Sequence, residues 1–364
     1  MKTRPPPAAT RSLLKMALRF RAAWAVGFLL LSTLPLVVQA QFDYTTDNGK
    51  VTITQYTGPG GEVIIPSRID GFPVTTVGDW AFYSRRSLTS VTIPDNVTSI
   101  GLWAFLGCNN LTEIKVGTLN SVYSSQDGVL FDKGQTALIL SPPGKAASYE
   151  IPGSVINIGS SAFSGCSSLT SITIPDSVTS IGHYAFTGCS SLTNVTIGRS
   201  VASIGNEAFS GCSSLTSITI PDSVTSIGFG GWWGLKYGDA RIFGSFSGCN
   251  HLTEFTVGTL NPVYSSRQGV LFDKSQTALL QCPPGKAGSY TIPNGVTRIG
   301  GGAFSSCSNL TSVMIPDSVT SLGELAFSGC QSLTAVYFKG NAPSFVECGW
   351  PKECSPFTSD PAII

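Results

Sequence analysis

Residues 169–191 read LTSITIPDSVTSIGHYAFTGCSS. The block that starts at Leu192 repeats this pattern 23 residues on, and the block that starts at Leu215 repeats it after another 23. A fixed period of this size marks a solenoid, in which each repeat is one coil and stacking closes the core. Within the block, Ile172 and Ile174 alternate with Ser171 and Thr173, the period-two pattern of a half-buried strand. Pro175 ends that strand, because it lacks an N–H and fixes φ. Asp176 and Ser177 are turn formers. Val178 and Ile181 face inward again, Gly182 turns the chain, and Ala185, Phe186 and Cys189 make an apolar corner. With Leu169 these make eight inward side chains, which cannot close a core in one coil, so neighbouring coils must cover each other.

Counted by the residue that ends each strand, eleven coils run from Ile65 through Ile93, Val116, Ile151, Ile174, Ile197, Ile220, Val257, Ile292 and Ile315 to Phe338. Most steps are 23 residues. Two are 35, and those two segments match each other: VGTLNSVYSSQDGVLFDKGQTALILSPPGK from Val116 and VGTLNPVYSSRQGVLFDKSQTALLQCPPGK from Val257. In each the Ala-Phe corner gives way to a hairpin, predicted near Val129–Phe131 and Thr136–Leu140 with its turn at Asp132-Lys133-Gly134. One further step is long because of Phe229–Ile242, FGGWWGLKYGDARI, which resembles nothing else in the chain.

The recurring residues Leu88, Val91, Ile93, Pro94, Val97, Ile100, Gly101, Ala104, Phe105 and Cys108 resemble the cassette of the BspA-like bacterial leucine-rich repeats, over about residues 60–340. The resemblance implies a mostly β repeat solenoid, a right-handed leucine-rich-repeat-like stack of 23-residue cassettes with two hairpin-bearing variant coils. It also implies an exported, non-enzymatic binding or adhesion protein of the secreted or cell-surface type.

The chain ends fit that expectation. Residues 1–40 carry Lys2, Arg4, Arg11, Lys15, Arg19 and Arg21, then an apolar run over 22–38 and Val38-Gln39-Ala40. This predicts a signal peptide cleaved after Ala40, with Met16 an alternative start. An uncleaved anchor is the other reading, but the run is short of the roughly 20 residues of a spanning helix and Pro35 interrupts it. Removing those six charges takes the formal net charge from +1 to −5, which argues against a nucleic-acid partner. Residues 42–57 are predicted as a hairpin cap, 41–340 as one solenoid, and 341–364 as a second cap or a loose tail. No transmembrane segment is expected after signal cleavage.

A catalytic constellation is not visible. The two histidines, His183 and His251, occupy variable cassette positions and have no partner at metal-ligand spacing. Asp95, Asp176, Asp222 and Asp317 follow the strand-ending proline; a calcium row is one reading, and ordinary turn residues are the other. No cofactor or metal is expected. Seven of the ten cysteines (Cys108, Cys166, Cys189, Cys212, Cys249, Cys307 and Cys330) share one cassette position. Stacked side chains point in parallel, which suits S–S geometry badly, so free thiols are expected; Cys348 and Cys354 are the pair placed for a bridge.

The outward strand positions form two columns, one beginning Ser90, Glu113, Ser171, Asn194 and the other Thr92, Lys115, Thr173, Thr196. This hydroxyl-rich face serves strand propensity and solubility equally well as binding. Information about one particular partner belongs where the template breaks. Trp232, Trp233, Lys236, Tyr237 and Arg241 in the insertion are therefore the expected contacts for a protein or glycan. The alternatives are that both Trp rings cover adjacent coils, and that the rod is a cell-envelope spacer with no specific ligand.

Overall fold

The computed structural model describes residues 41–145, 147–228, 244–341 and 343–345. These residues form strands and turns with no helix among them. Each cassette contributes one strand to a main column and a two-residue strand to a second column. In the main column Ile172 pairs in parallel with Val195, and Ile218 with Phe255, so the coils stack in cassette register. In the second column Ile158, Ile181, Ile204 and Ile227 follow one another in the same way. Spacing parallel strands by about 4.8 Å makes the eleven coils a rod on the order of 50 Å long.

Close stacking explains the invariant template residues. A Cβ at Gly205 would sit 2.5 Å from the backbone of Gly182, so the coils touch backbone to backbone at this corner. Beside it the corner phenylalanines form a ladder. Phe163, Phe186, Phe209 and Phe246 stack at centroid distances of 4.9, 5.1 and 5.5 Å with their rings nearly parallel. Each of these rings is fully buried.

The cysteines lie next to this ladder. The Sγ of Cys189, Cys212 and Cys249 donates to the carbonyl of Phe163, Phe186 and Phe209, at 3.1–3.2 Å. Burial pushes the Cys108 thiol up to about 11 and the Cys166 thiol up to about 12. The described cysteines are free thiols, and Cys282 of the second variant coil joins the seven expected from the cassette.

At the N-terminal end, strand Phe42–Asp47 pairs antiparallel with Lys50–Tyr56 around Asn48 and Gly49, both at positive φ. Lys50–Tyr56 then pairs in parallel with Phe72–Val77. The hairpin thus adds a layer beneath the first coil, and Tyr56 stacks on Phe82 at 5.2 Å in a second ring stack that continues to Phe105.

The variant coils contain more than the expected hairpin. Val129–Asp132 pairs antiparallel with Ala137–Leu140 on one side and with Tyr123–Gln126 on the other. The second copy repeats this with Tyr264–Arg267, Val270–Asp273 and Ala278–Gln281. Val129, Leu130 and Phe131 are all fully buried, although alternate side chains must point to opposite faces. Leu130 packs into the core that begins at Phe42, while Val129 and Phe131 pack into the next core block. Val270 and Phe272 likewise join the last block, and Leu271 the middle one. The central strand of each variant coil is therefore a septum, and two septa divide the core into three.

A buried asparagine anchors each septum unit. Asn120 is fully buried and donates to the carbonyls of Pro94 and Val97, both at 2.9 Å. Its Oδ1 accepts from the amides of Val122 and Tyr123. Asn261 repeats all four bonds with Pro221, Val224, Val263 and Tyr264.

Candidate functional site

The main face keeps the pairings that the sequence reading describes and adds two strands that it left out: Ser148 and Glu150 pair with Ser171 and Thr173, and Ser289 and Thr291 with Ser312 and Met314. Ser90 pairs with Glu113 and Thr92 with Lys115; Ser171 pairs with Asn194 and Thr173 with Thr196; Ser217 pairs with Glu254 and Thr219 with Thr256. Ser312 pairs with Ala335 and Met314 with Tyr337 toward the last coil. One member departs from expectation: Ser90 is buried, at 8% exposure, and presents nothing to solvent. A further column of threonines edges this face. Thr193 Oγ1 donates to the Thr170 carbonyl at 3.0 Å and Thr334 Oγ1 to the Thr311 carbonyl at 3.1 Å. These hydroxyls bond to the coil before them, so this edge column is structural.

Three of the four carboxylates after proline are also structural. Asp95 Oδ1 accepts from the Leu119 amide, Asp176 Oδ1 from the Arg199 amide and Asp222 Oδ1 from the Leu260 amide. Each clamps the following coil. Arg199 also forks onto Asp176 at 2.9 and 3.2 Å, and these bonds hold the exposed Asp176 carboxyl below its ordinary value. Among the described residues no three His, Cys, Asp or Glu side chains gather as a metal site. The histidines have similar roles: His183 Nδ1 accepts from the Asn206 amide at 2.9 Å, and His251 Nδ1 lies 2.6 Å from the Ser213 carbonyl.

The lysines of Pro-Pro-Gly-Lys hold the septum turns. Lys286 Nζ donates to the Gln268 carbonyl at 2.9 Å and sits over the Tyr290 ring at 5.2 Å. Lys145 makes the equivalent contacts with Asp127 and Tyr149.

The insertion residues Trp232, Trp233, Lys236, Tyr237 and Arg241 lie outside the described residues. Their flanks are described. The Gly228 amide donates to the Ile204 carbonyl, and Phe246 rejoins the ring ladder. The insertion therefore branches from the corner that precedes the second variant coil.

The corresponding corner before the first variant coil holds an aromatic cluster that the sequence reading did not single out. The residue before each Ala-Phe pair lies in the left-handed region. Trp80 has φ 60°, Trp103 54°, Ser161 60°, Tyr184 58°, Glu207 51° and Leu325 52°, while the glycine at this place, Gly302, has 57°. Trp80 and Trp103 pack at 4.8 Å, Trp80 and Tyr83 at 5.1 Å, and Trp103 meets Tyr184 edge-on at 5.5 Å across the intervening corner of Ser161. Trp80 is 44% and Tyr83 51% exposed. Burial raises the titration of both Tyr184 and Glu207.

Beside Trp103 opens a cavity of about 80 Å³, lined among others by Leu102, Leu140, Pro143, Ser160, Ser161 and Ser164. It forms because the first variant coil has no Ala-Phe corner to fill the gap between its neighbours. No charged side chain lines it.

The BspA type leucine rich repeat region matches residues 62–130, 144–231 and 284–348, as six copies. No curated protein matches the chain. Solved structures similar to it include a leucine rich cell surface protein from Faecalibacterium prausnitzii, 25% identical over 83% of this chain and 94% of that one, with a TM-score of 0.39. A leucine-rich repeat protein from Eubacterium ventriosum is 21% identical over 82% and 68%, with a TM-score of 0.48. The pneumococcal vaccine antigen PcpA is 22% identical over 82% and 68%, with a TM-score of 0.46. The matched cassettes span well over half of the sequence, and their strand, proline turn, glycine and Ala-Phe corner are those described above. The chain belongs to the BspA-type leucine-rich repeat family.

Proposed function

We propose that this is an exported, non-catalytic binding protein that works at the cell surface and presents its repeat rod to a protein or glycan ligand. Membership of the BspA-type family, whose members are often surface adhesion proteins, carries this reading. The basic, then apolar leader of residues 1–40 supports export. Among the described residues no helix is long and apolar enough to cross a membrane. Several polar groups that could suggest catalysis hold coils together instead: Asp95, Asp222 and His183 accept amides of the next coil. Trp232, Trp233, Lys236, Tyr237 and Arg241 are proposed contacts, since Trp, Tyr and Arg dominate binding hot spots.

The test has two parts. Protease shaving of intact cells should release peptides of this chain, and the intact mass of the exported form should begin at Gln41. Protein comprising residues 41–364, immobilised on beads, should then retain whole cells or matrix components above a bare-bead control. Surface exposure without any retention would favour the spacer reading, and absence from the exported fraction would overturn the proposal.

A further inference from the structure

We infer that the open edge of strand Gly61–Ile64 binds an extended protein segment, which joins the main column as one more strand. This inference rests on the reading of the chain as a binding protein and narrows the ligand, at this place, to a polypeptide.

The first observation is the hydrogen bonding along the edge. Gly61–Ile64 begins the main column and pairs with Leu88–Ile93 alone. The Ile65 amide donates to the Thr92 carbonyl at 3.0 Å, so it faces the next coil. Backbone groups alternate along a strand, and Glu62 and Ile64 therefore turn their N–H and C=O the other way. No described strand lies there. Two donors and two acceptors stand in line at the spacing of a strand ladder, and another extended main chain is the chemistry that matches them. Proteins ordinarily blunt such an edge with Pro, Lys or a covering element. Here the one interruption is a register shift between Gly61 and Glu62, and it falls at the start of the strand.

The second observation is the pair of side chains beside these groups. Glu62 and Ile64 are both on the outer face, opposite Ser90 and Thr92 of the next coil. Ile64 is 68% exposed, and an added strand would cover it by a cross-strand contact. The ion pairs among the described residues, Lys115–Glu113 and Arg199–Asp176, leave Glu62 unpaired. The segment that fits carries an apolar side chain opposite Ile64 and a Lys or Arg opposite Glu62, on the same face of its strand.

The third observation is the stepped end of the rod, which selects a single chain over a second copy of this protein. Phe42–Asp47 and Lys50–Tyr56 carry the second column two strands, about 10 Å, past Phe72–Val77, whereas the main column stops at Gly61–Ile64. In the last described coil Ala335–Phe338 and Ser344–Phe345 end the two columns together. An end of that breadth meets the hairpin before it comes within strand spacing of Glu62 and Ile64. Two N-terminal ends are kept apart in the same way by their two hairpins. One extended segment fits beside the hairpin.

The experiment selects random short peptides displayed on phage with immobilised protein comprising residues 41–364. An enriched peptide is then synthesised with a fluorescein label and its binding read by polarisation. Enriched sequences should alternate, with an apolar residue and a Lys or Arg on the same face. N-methylation of alternate peptide amides should split into two sets, one that abolishes binding and one that leaves it within a few-fold. Ile64→Pro should abolish binding without lowering the unfolding midpoint, because the Ile64 N–H takes no part in the fold. The methylated peptides need no variant, so a folding defect in Ile64→Pro cannot carry the result. Glu62→Lys should weaken the basic peptide several-fold. No enrichment would overturn the inference, and so would binding that survives Ile64→Pro or that tolerates methylation at every amide. Cell retention on beads is read in parallel: retention by the wild type together with any of these failures overturns this inference alone and leaves the binding function standing.

Discussion

The side chains that hold this rod together are repeated, so one residue's cost can be argued from its neighbours in the stack. Phe186 lies between Phe163 and Phe209 with both ring faces covered and no exposure. Phe186→Ala removes that contact and leaves a cavity that neighbours cannot close without breaking register. A loss of about 3–5 kcal/mol is expected, read from the denaturant midpoint. Asn261 has a different origin of cost. Asn261→Ala strands two carbonyls and two amides at once, those of Val224 and Tyr264 buried and those of Pro221 and Val263 partly so, and about 2–5 kcal/mol should be lost, with Asn261→Asp failing to rescue because it cannot donate twice. Full stability in Asn261→Ala would show that the loop rearranges to satisfy itself. Asp273 adds a pH dependence. Burial opposes its charge, but hydrogen bonds from Ser275, the Ala278 amide and Thr277 outweigh this and hold the carboxyl below its ordinary value. A depressed folded value means stability present above the unfolded value and lost as pH falls through the folded one. Asp273→Asn should therefore flatten the acid limb of a stability profile between pH 7 and pH 2. An unchanged acid limb would remove Asp273 from the account.

At the scale of elements, the septum depends on its first turn. Gln268 and Gly269 sit at φ 53° and 76°, the two-residue turn that matches strand twist. A Cβ at Gly269 would also lie 3.1 Å from the Thr253 carbonyl and 3.3 Å from Glu254 Cα. Gly269→Ala should lose at least about 1–2 kcal/mol from the left-handed backbone alone. The same change at Gly61, whose Cβ would meet nothing within 4 Å, serves as the control for backbone strain without contact. Equal losses in the two variants would mean the packing against Glu254 is irrelevant. This turn also shows what was legible in the sequence. The 23-residue period, the proline turns and the second hairpin of each variant coil were readable because each depends on local residues repeated many times. The strand Tyr123–Gln126 was missed although Asp127-Gly128 is a strong hairpin signal, because Tyr123 is the one strand former in its Tyr-Ser-Ser-Gln run. Asn120 gave no signal, since a lone Asn near Gly-Thr-Leu reads as a turn and the two carbonyls it donates to lie in the preceding coil. The aromatic cleft was hidden for a related reason. Trp103 and Tyr184 stand at a variable cassette position and far apart in sequence, and the missing corner of the variant coil lets them meet across Ser161.

At the scale of the whole molecule, the septa bear on how damage spreads. In a solenoid each coil contacts its neighbours alone, so stability is a sum of coil terms and interface terms. Here the interfaces are unequal. Within a block, core side chains of successive coils pack directly on one another, as the phenylalanine ladder does. At residues 129–131 and 270–272 the packing passes through a single strand whose opposite faces belong to different blocks. A cavity on one side of that strand leaves the contacts on its other side intact. Local opening should therefore stop at a septum before it crosses the molecule. Native-state hydrogen exchange tests this with Phe186→Ala, which damages the middle block. Amides of Ser171–Thr173, Asn194–Thr196 and Ser217–Ile220 should exchange faster by orders of magnitude. Amides of Leu310–Ile315, beyond the second septum, should keep their wild-type rates within a few-fold. Equal acceleration on both sides would show one cooperative unit, with the septa no more than thick coils. Confinement to the middle block would let the first block, which carries Trp80 and Trp103, keep its geometry while coils elsewhere in the rod vary.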